Sequence, residues 1–317
     1  MVTGLTKLKK VEVFFLVVIL VVFFIVVGKY FFPHLIEPKF FFDFLKMQAR
    51  YVQYEYGFNK KNIFITSNFT SSIADSVPVL LYHGIVEESD GKNVLRRNFE
   101  DQLFTLKKAG WETISLEYFL DFLHGKKKLP SKSFLLTFDD GRKDSYYPAD
   151  PLLRSLNYTA VMFIDTKHSI ALGGNDYYLS PRELKIMLKS KRWELQSHSR
   201  TAHSIYPINK EGERGTFIGN KLWLQEQERI ETDEEFKLRV EADLSGSKND
   251  IWEAFGVKPR AFAYPFGDYG HISKNYPEAD ETVLGISSAI FSVSFYQYRI
   301  GSYNTNYSSG DRQISLA

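Results

Sequence analysis

The chain has 317 residues, of which 44% are hydrophobic and 25% are charged, and its formal net charge is +2. This length allows one substantial hydrophobic core with an additional segment. The basic residues form no long cluster, which argues against a nucleic-acid partner. The chain contains no cysteine. Disulfides, thiolate ligands and a cysteine nucleophile are therefore excluded, and any metal site has to use His, Asp or Glu.

The N-terminus predicts a membrane anchor. Lysines precede an apolar run, and residues 11–32 as a helix would be about 33 Å long, enough for a hydrocarbon core of about 30 Å. The basic leader, residues 1–10, predicts a cytoplasmic N-terminus and an extracytoplasmic remainder. A cleaved signal peptide is the alternative, but no convincing small-residue cleavage site follows the apolar run. We therefore expect a single-pass protein with an uncleaved anchor.

The rest of the chain divides into a connecting segment and one domain. Residues 33–76 are rich in aromatic residues, which indicates a stalk or juxtamembrane element. From residue 77 to residue 317, short apolar runs alternate with helical patterns, which predicts an α/β catalytic domain with parallel strands and a barrel-like closure. The strands are expected at residues 77–81, 134–138, 160–164, 193–195 and 261–264.

Capping residues also predict where helices begin. Asn98 and Ser115 are expected to cap two helices, and Ser180 and Thr232 each begin a capping box. The polar, glycine-containing segment 206–230 predicts a long inserted loop. Because loops at the carboxyl ends of barrel strands carry function, we expect this loop to shape a substrate groove.

Two adjacent carboxylates follow one of the predicted strands. The sequence TFDDG at residues 137–141 places Asp139 and Asp140 at the end of a buried apolar run. Like charges this close raise the pKa of one group unless a cation lies nearby. A metal-binding carboxylate beside a free general base would explain the pair. Asp-Asp-Gly is equally good turn chemistry, so this motif alone leaves both interpretations open.

Two histidines follow another predicted strand. His198 and His203 are five residues apart, and this spacing is about 140° away from a common helix face, so the two rings have to converge through a loop. Two imidazoles and one carboxylate are a common metal-ligand set that leaves positions open for water and substrate. The joint occurrence with Asp139 and Asp140 at successive strand ends favours a metal site.

The combined pattern resembles the polysaccharide deacetylase family, also called the NodB-type domain or carbohydrate esterase family four. The resemblance extends from about residue 77 to residue 302. The sequence TFDDG at 137–141 resembles the first family motif, and His198 with His203 resembles the second, in which the usual spacing is four. The spacing of five is similar to that in the poly-N-acetylglucosamine deacetylase branch.

Two other motifs extend the resemblance and also show departures. The sequence FAYPFG at 262–267 resembles the third motif, which in much of the family reads Arg-x-Pro-Tyr-Gly. Ala263 stands in the place of that arginine, and Arg260 is near but out of register. The C-terminal Leu-x-His motif of the family is missing. The sequence LLYHG at 80–84 resembles the element near the domain start that takes its role in the poly-N-acetylglucosamine branch.

The resemblance implies a distorted (β/α) barrel and a metal-dependent hydrolase. By this likeness Asp140, His198 and His203 hold a divalent metal, with zinc as the expected ion, and Asp139 is the general base. The metal polarises the acetamide carbonyl and lowers the pKa of a bound water molecule.

The resemblance also assigns the remaining site residues. The backbone N–H of Phe266 is implied to stabilise the oxyanion, with Tyr264 and Pro265 beside it in the groove. His83 is implied to protonate the departing amine, whereas from the residues alone it would be a loop histidine bonded to backbone. Trp223 is the best candidate for stacking on a sugar ring, although tryptophan is more often packed in a core.

We therefore expect hydrolysis of N-acetyl groups from an extracytoplasmic polysaccharide that contains N-acetylglucosamine, with release of acetate. The expected partners are this polymer, the membrane and machinery for polysaccharide synthesis or export. Two alternatives stay open. One is a carbohydrate-binding relative without turnover, which Ala263 motivates. The other is a deacetylase that acts on O-acetylated or peptidoglycan substrates with the same site.

Overall fold

The computed structural model describes residues 38–60, 72–297 and 306–307. The predicted leader and anchor, residues 1–10 and 11–32, lie outside these ranges. None of the helices within the described ranges combines the length and the apolar character needed to cross a membrane. The chain divides into two compact units, residues 1–49 and 50–317. The second unit contains the central sheet and all of the predicted site residues.

Strands and helices alternate through most of the second unit. The strands are β1 Ser76–Val77, β2 Val79–Tyr82, β3 Ile85–Val86, β4 Val94–Leu95, β5 Glu112–Thr113, β6 Ser133–Phe138, β7 Ala160–Ile164, β8 Trp193–Ser197, β9 Ile205–Pro207, β10 Arg214–Thr216, β11 Trp223–Leu224, β12 Arg229–Ile230, β13 Ala261–Ala263, β14 Val293–Phe295 and β15 Asn306–Tyr307. The helices are α1 Pro38–Lys60, α2 Arg96–Lys108, α3 Leu116–Leu123, α4 Lys143–Leu156, α5 Pro181–Lys189, α6 Asp233–Phe255 and α7 Ala279–Ile290.

The central sheet has seven strands, and all of its pairings are parallel. The strand order is β14-β13-β8-β7-β6-β2, and β5 pairs with the start of β6. Leu135 of β6, Val161 of β7 and Phe295 of the end strand β14 share one buried cluster, and Val79 of the other end strand, β2, packs against it. The sheet therefore curls around its core. Within the described residues β2 and β14 do not pair, so the expected barrel is an open, curled half-barrel.

The central strands form where the sequence has continuous apolar runs. Every residue of β6 and β7 is buried, as expected for parallel strands that are covered on both faces. The strand predicted at 160–164 is confirmed residue for residue, and the one predicted at 134–138 begins one residue earlier. The apolar run thus predicts both the strand and its place in the centre of the sheet.

Three of the four predicted helix caps are confirmed. The Ser115 hydroxyl accepts from the backbone of the third following residue, and complete capping boxes are present at Ser180 and Thr232. The prediction for Asn98 is wrong, because α2 begins at Arg96 and Asn98 lies inside its first turn. The short strand β4 leads directly into this helix, which leaves no room for the later start.

The segment predicted as a long loop, residues 206–230, contains two short antiparallel hairpins. The first pairs β9 with β10, and the second pairs β11 with β12. Arg239 of α6 holds the insertion, because its guanidinium donates to the backbone oxygens of Phe217 and Asn220 and pairs with Glu231 at 2.6 Å. The insertion is therefore a structured element that is bonded to helix α6 through Arg239.

Part of the predicted stalk packs on the domain. The Tyr51 hydroxyl at the middle of α1 donates to Asp150, a fully buried carboxylate. Asp150 also accepts from the indole of Trp193 at 2.7 Å and from the guanidinium of Arg192 at 2.9 Å. Farther along α1, Tyr54 donates to Glu100 of α2. These contacts place residues 50–55 in the folded body of the second unit.

The capping box at the start of α6 yields a stability prediction. Thr232 accepts from the Glu235 N–H at 3.2 Å, and the Glu235 carboxylate accepts from the Thr232 N–H at 2.8 Å. We expect Thr232→Ala to lower the free energy of unfolding by about 1 kcal/mol, because one helix N–H loses its acceptor. Urea unfolding monitored by circular dichroism would measure this, and Thr232→Ser, which keeps the hydroxyl, should stay near wild type. Equal losses in both variants would contradict the capping argument.

Candidate active site

Most of the predicted site residues follow the carboxyl ends of strands in the central sheet. His83 follows β2, Asp139 and Asp140 follow β6, and His198 follows β8. Tyr82 is the register partner of Phe138, and the Asp139 N–H donates to the Tyr82 carbonyl at 3.2 Å. Because the carboxyl ends of parallel strands meet at one edge, these side chains converge although they are far apart in sequence.

Three side chains form a cluster with metal-ligand geometry. Asp140 Oδ1 lies 3.2 Å from His203 Nε2 and 3.4 Å from His198 Nε2. One ligand atom from each of the three residues lies within 4.8 Å of the others. The two imidazole rings are tilted by 47° with centroids 5.3 Å apart. The structure thus brings together the three residues that were predicted as ligands.

The donor set of this cluster fits a divalent cation. Asp140 Oδ1 is buried and has no hydrogen-bond partner among the described residues. A buried carboxylate oxygen without a partner is costly. A cation between this oxygen and the two Nε2 atoms would satisfy it, and carboxylate and imidazole are both zinc ligands. That these residues bind a metal stays a prediction that this geometry supports.

The tautomer of His198 is fixed by the third motif. His198 Nδ1 lies 2.8 Å from the carbonyl oxygen of Ala263, which is only an acceptor, so Nδ1 carries a proton that it donates. In the neutral ring Nε2 is then unprotonated and faces Asp140. This is the outer hydrogen bond that metal-binding histidines usually make. The residue at the place of the family arginine thus contributes through its backbone.

The loop between the two histidines is held by a carboxylate of α6. Asp243 accepts from the Arg200 N–H at 3.0 Å, from the Thr201 N–H at 2.7 Å and from the Thr201 hydroxyl at 2.6 Å. These bonds shape the irregular turn that brings His203 back towards His198. The sequence motifs did not point to Asp243. Its signal is an acidic residue on the apolar face of a helix, directly before the buried Leu244.

The electrostatics of the cluster favour an ionised Asp140 and a charged His198 in the metal-free protein. Burial works to raise the pKa of Asp140, but His198 and His203 outweigh it and hold this pKa well below its usual range. Burial works to lower the pKa of His198, but Asp139 and Asp140 outweigh it and raise this pKa to about 9. In the metal-free protein a proton therefore occupies His198 Nε2, and a metal cation would have to displace this proton in order to bind there.

Asp139 differs from its neighbour in its surroundings. Burial raises the pKa of Asp139, while the imidazoles of His198 and His83 act in the opposite direction. Asp139 Oδ1 is buried and has no hydrogen-bond partner among the described residues. Two adjacent carboxylates are thus separated into a strongly acidic one and a weakly acidic one, which is the pattern expected for a ligand beside a proton acceptor.

No arginine contacts Asp139 within the described ranges. Arg260 precedes β13 and therefore lies at the opposite edge of the sheet. Arg142, which the sequence motifs did not single out, is buried and lies nearer. Its Nη1 is 3.9 Å from Asp140 Oδ2, while Asp144 binds the other side of the guanidinium at 2.6 and 2.8 Å. Arg142 therefore acts on Asp140 and leaves Asp139 to the imidazoles.

The third motif forms a tight turn beside His203. Phe266 has a left-handed φ of 62°, the residue is 38% exposed, and its ring stacks on the His203 imidazole with the centroids 4.7 Å apart. Tyr264 and Pro265, which were expected in the groove, are buried. The Tyr264 hydroxyl bonds with Ser287 of α7 at 2.5 Å, so its ring points into the core. Only Phe266 of the three presents its side chain to solvent.

The remaining candidates have less structural support. Trp223 is half-buried in the second hairpin of the insertion, and its indole donates to Gln225 at 3.1 Å. No described contact joins Trp223 to the metal-ligand cluster. His83 is half-buried, and its imidazole is one of the groups that act to lower the pKa of Asp139. The roles assigned to both residues stay predictions.

Comparisons with known proteins agree with this fold. Residues 126–281 match the family model described as "Polysaccharide deacetylase". This chain carries a polysaccharide deacetylase domain. The matched region includes both aspartates, both histidines and the third motif, and it begins after His83. It therefore covers the metal-ligand cluster and leaves the predicted general acid outside.

Curated relatives of the deacetylase domain carry one name. Over 206 residues the chain is 24% identical to poly-beta-1,6-N-acetyl-D-glucosamine N-deacetylase of Escherichia coli strain K12, which covers 61% of this chain and 31% of that protein. Over 185 residues it is 27% identical to the protein of the same name from Staphylococcus aureus strain MSSA476, covering 57% and 56%. The chain thus spans about a third and about half of the lengths of these relatives.

Solved structures share the fold of the deacetylase domain. A de-N-acetylase from Aggregatibacter actinomycetemcomitans superposes with a TM-score of 0.60 at 23% identity, covering 70% of this chain and 88% of that one. The deacetylase domain of BpsB from Bordetella bronchiseptica gives 0.58 at 23% identity, covering 70% and 89%. IcaB from Ammonifex degensii gives 0.52 at 25% identity, covering 70% and 84%.

Removing one ligand of the cluster is expected to weaken metal binding strongly. Losing a residue that only hydrogen-bonds to a metal ligand typically costs about 10- to 100-fold in metal affinity, so His203→Ala should weaken zinc binding by more than about 100-fold. Competition with a chromogenic chelator would measure it. His124→Ala, which removes an exposed histidine at the end of α3, is the matched control and should bind as wild type does. Unchanged affinity in His203→Ala would exclude the proposed ligand set.

Metal binding is also expected to depend on pH. A metal needs neutral imidazole, whereas the pKa of His198 in the metal-free protein is about 9. Raising the pH removes this proton, so the apparent affinity should increase by up to about tenfold per pH unit from about pH 6 to pH 8 and level off above about pH 9. Chelator competition in a series of buffers would show it. An affinity that falls with pH over this interval would contradict the assignment.

Proposed function

We propose that this chain is a metal-dependent deacetylase that removes N-acetyl groups from an extracytoplasmic polysaccharide containing N-acetylglucosamine and releases acetate. The observation that carries the proposal is the cluster of the buried Asp140 and His198 with the half-buried His203, beside which lies the buried Asp139. An electrophile, a base and an acid around one carbonyl are what amide hydrolysis needs. The names of the curated relatives support a poly-β-1,6-linked N-acetylglucosamine substrate.

The residues of this chain have distinct tasks in the proposed reaction. Asp140, His198 and His203 would hold the metal, which supplies polarisation of the acetamide carbonyl and a lowered pKa for water. Asp139 accepts a proton from the water molecule that attacks the carbonyl carbon. The Phe266 N–H donates to the developing oxyanion.

The second half of the reaction breaks the carbon–nitrogen bond. Collapse of the tetrahedral intermediate transfers the bonding electrons to nitrogen, and His83 supplies the proton that this nitrogen needs to leave as an amine. The acetyl group leaves as acetate. His83 and Asp139 follow the paired strands β2 and β6 at the same edge of the sheet, which supports an acid and a base that act on one substrate group.

Zinc is the proposed ion, and the outer face of the membrane is the proposed location. Two imidazole nitrogens and a carboxylate oxygen form a common catalytic zinc set with an open position. For the location, support comes from the basic leader and the apolar run at residues 11–32, which together favour a single-pass anchor with the domain outside. Association with polysaccharide synthesis or export machinery belongs to the same proposal.

Two alternative functions were left open by the sequence. A binding relative without turnover was suggested by Ala263, but the carbonyl of this residue orients His198 and the full ligand cluster is assembled. The assembled cluster therefore favours an enzyme. An enzyme that acts on O-acetylated or peptidoglycan substrates would use the same groups. Parallel assays with O-acetylated xylan, peptidoglycan and N-acetylglucosamine oligomers would separate these substrates.

The role of Asp139 provides the test of the proposed function. Asp139→Asn keeps the size of the side chain and removes the proton acceptor. We expect acetate release from N-acetylglucosamine oligomers to fall by about 10²- to 10⁴-fold, the usual contribution of a general base. Zinc content should stay at the wild-type level, because the ligands are intact. Enzymatic acetate detection and elemental analysis would measure the two quantities.

The control for this substitution is Asp101→Asn, which changes an exposed aspartate on α2 in the same way. It should keep both activity and metal. A wild-type, zinc-loaded protein that releases no acetate from any of these oligomers would contradict the proposed function. An Asp139→Asn variant with full activity would leave the function standing and remove the proposed base.

A further inference from the structure

Two tyrosines lie beside the metal-ligand cluster without a task in the proposed reaction. Tyr177 and Tyr178 belong to the segment between β7 and α5. This segment runs alongside the first motif, because the Lys143 N–H donates to the Tyr177 carbonyl at 2.8 Å and the Leu179 N–H donates to the Gly141 carbonyl at 2.9 Å. Backbone bonds of Tyr177 and Leu179 thus hold the two tyrosines beside residues 141–143, which follow Asp140.

The guanidinium of Arg142 lies between the Tyr177 ring and the metal-ligand cluster. Arg142 lies over this ring, with its Cζ 4.7 Å from the ring centroid. The Nη1 atom of the same guanidinium is 3.9 Å from Asp140 Oδ2. Asp144 binds the guanidinium with two hydrogen bonds, which fixes its plane and offsets its charge. Tyr177 therefore has a defined position relative to the predicted ligands.

Tyr177 is fixed by contacts with its neighbours, and the residue is 42% exposed. The Asn175 side-chain oxygen accepts from the N–H groups of Tyr177 and Tyr178 at 2.7 and 2.8 Å. The Tyr177 ring meets the edge of Tyr178 at a centroid distance of 4.8 Å. Tyr178 in turn lies flat against His168 at 4.5 Å, and Asp165 holds His168 at 2.9 Å. These contacts fix the loop in a conformation that leaves the Tyr177 ring partly exposed to solvent.

We propose that Tyr177 is a sugar-binding subsite that stacks on the pyranose ring next to the one whose acetamide reacts. This inference rests on the proposed function and adds a recognition element to it. A pyranose ring has an apolar face of C–H groups and a polar rim of hydroxyls. An exposed aromatic ring with a polar tip matches both parts. A rigid ring also binds with little loss of conformational freedom.

The position of Tyr177 distinguishes this subsite from the other aromatic candidate. Trp223 lies in the insertion, and no described contact joins it to the cluster. Tyr177 is connected to Asp140 through the single side chain of Arg142. A polymer that places one acetamide at the cluster therefore has its neighbouring residue within reach of Tyr177. The subsite recognises chain length and contributes nothing to the chemistry of the reacting group.

The experiment compares Tyr177→Ala with a matched control. Tyr118→Ala also removes a tyrosine that is 45% exposed and that has a cation over its ring, the Lys127 ammonium at 3.9 Å. The substrates are β-1,6-linked N-acetylglucosamine dimer, tetramer and hexamer, together with the small ester 4-nitrophenyl acetate. We expect Tyr177→Ala to raise KM for the hexamer about tenfold, with kcat and the rate on the ester unchanged. Tyr177→Phe, which keeps the ring, should stay near wild type.

Three outcomes would overturn the subsite. The first is an unchanged KM for the hexamer in Tyr177→Ala. The second is an equal loss on the hexamer and the ester, and the third is a loss of bound zinc, since either would show a structural role. In each case Tyr118→Ala reports the effect of removing any exposed tyrosine.

A binding measurement keeps the subsite separate from the proposed function. The zinc-loaded wild type and both alanine variants are titrated calorimetrically with the hexamer. If wild type releases no acetate but binds the hexamer, and Tyr177→Ala alone weakens binding about tenfold, the subsite stands and the proposed function fails. If wild type is active and Tyr177→Ala binds and turns over normally, the proposed function stands and the subsite fails. If wild type neither binds nor reacts, both fail.

Discussion

One buried carboxylate oxygen organises this site. Asp140 Oδ1 is closed off from solvent, lies 3.2 and 3.4 Å from two imidazole nitrogens, and has no hydrogen-bond partner among the described residues. Such an arrangement is costly unless a positive charge lies between the three atoms. The surrounding structure supports it from several sides. The Ala263 carbonyl orients His198, and the Asp243 carboxylate shapes the turn that returns His203. Asp140, His198 and Ala263 come together because the carboxyl ends of β6, β8 and β13 meet at one edge of the curled sheet, whereas Asp243 comes from α6.

The backbone at this edge is held in a conformation that these side chains disfavour. Asp140, Ser199 and Phe266 have φ values of 70°, 76° and 62°. Each of them belongs to a different motif, and left-handed backbone costs a residue other than glycine about 1 to 3 kcal/mol. Three such residues around one cluster indicate that the fold offsets this strain in order to aim the Asp140 carboxylate and the Phe266 turn. Asp140 and Ser199, two of the strained residues, follow the carboxyl ends of the buried strands β6 and β8. These strands hold the chain in place immediately before the strained residues.

The sequence predicted the features that depend on local patterns and on the alignment of parallel strands. Buried apolar runs indicated the central strands, and the polar residues after them indicated the cluster of Asp140, His198 and His203. The direction of Tyr264 could not be predicted, because it depends on Ser287 in a helix that forms later in the chain. The two hairpins of the insertion were missed because their strands are two or three residues long and lack apolar alternation. Arg142 and Asp243 act through distant partners, and neither belongs to one of the sequence motifs.

The absence of an arginine at residue 263 changes how the predicted base is stabilised. A carboxylate as buried as Asp139 keeps its charge only where positive charge is close. The described residues around Asp139 provide imidazoles for this purpose, while the guanidinium of Arg142 is directed to Asp140 and bound by Asp144. The charge of the base is therefore coupled to the ligand set, since two of these imidazoles are the predicted metal ligands. In a site with a separate arginine, base and ligands could be tuned independently. Here a change at His198 or His203 alters the cluster and the protonation of Asp139 together.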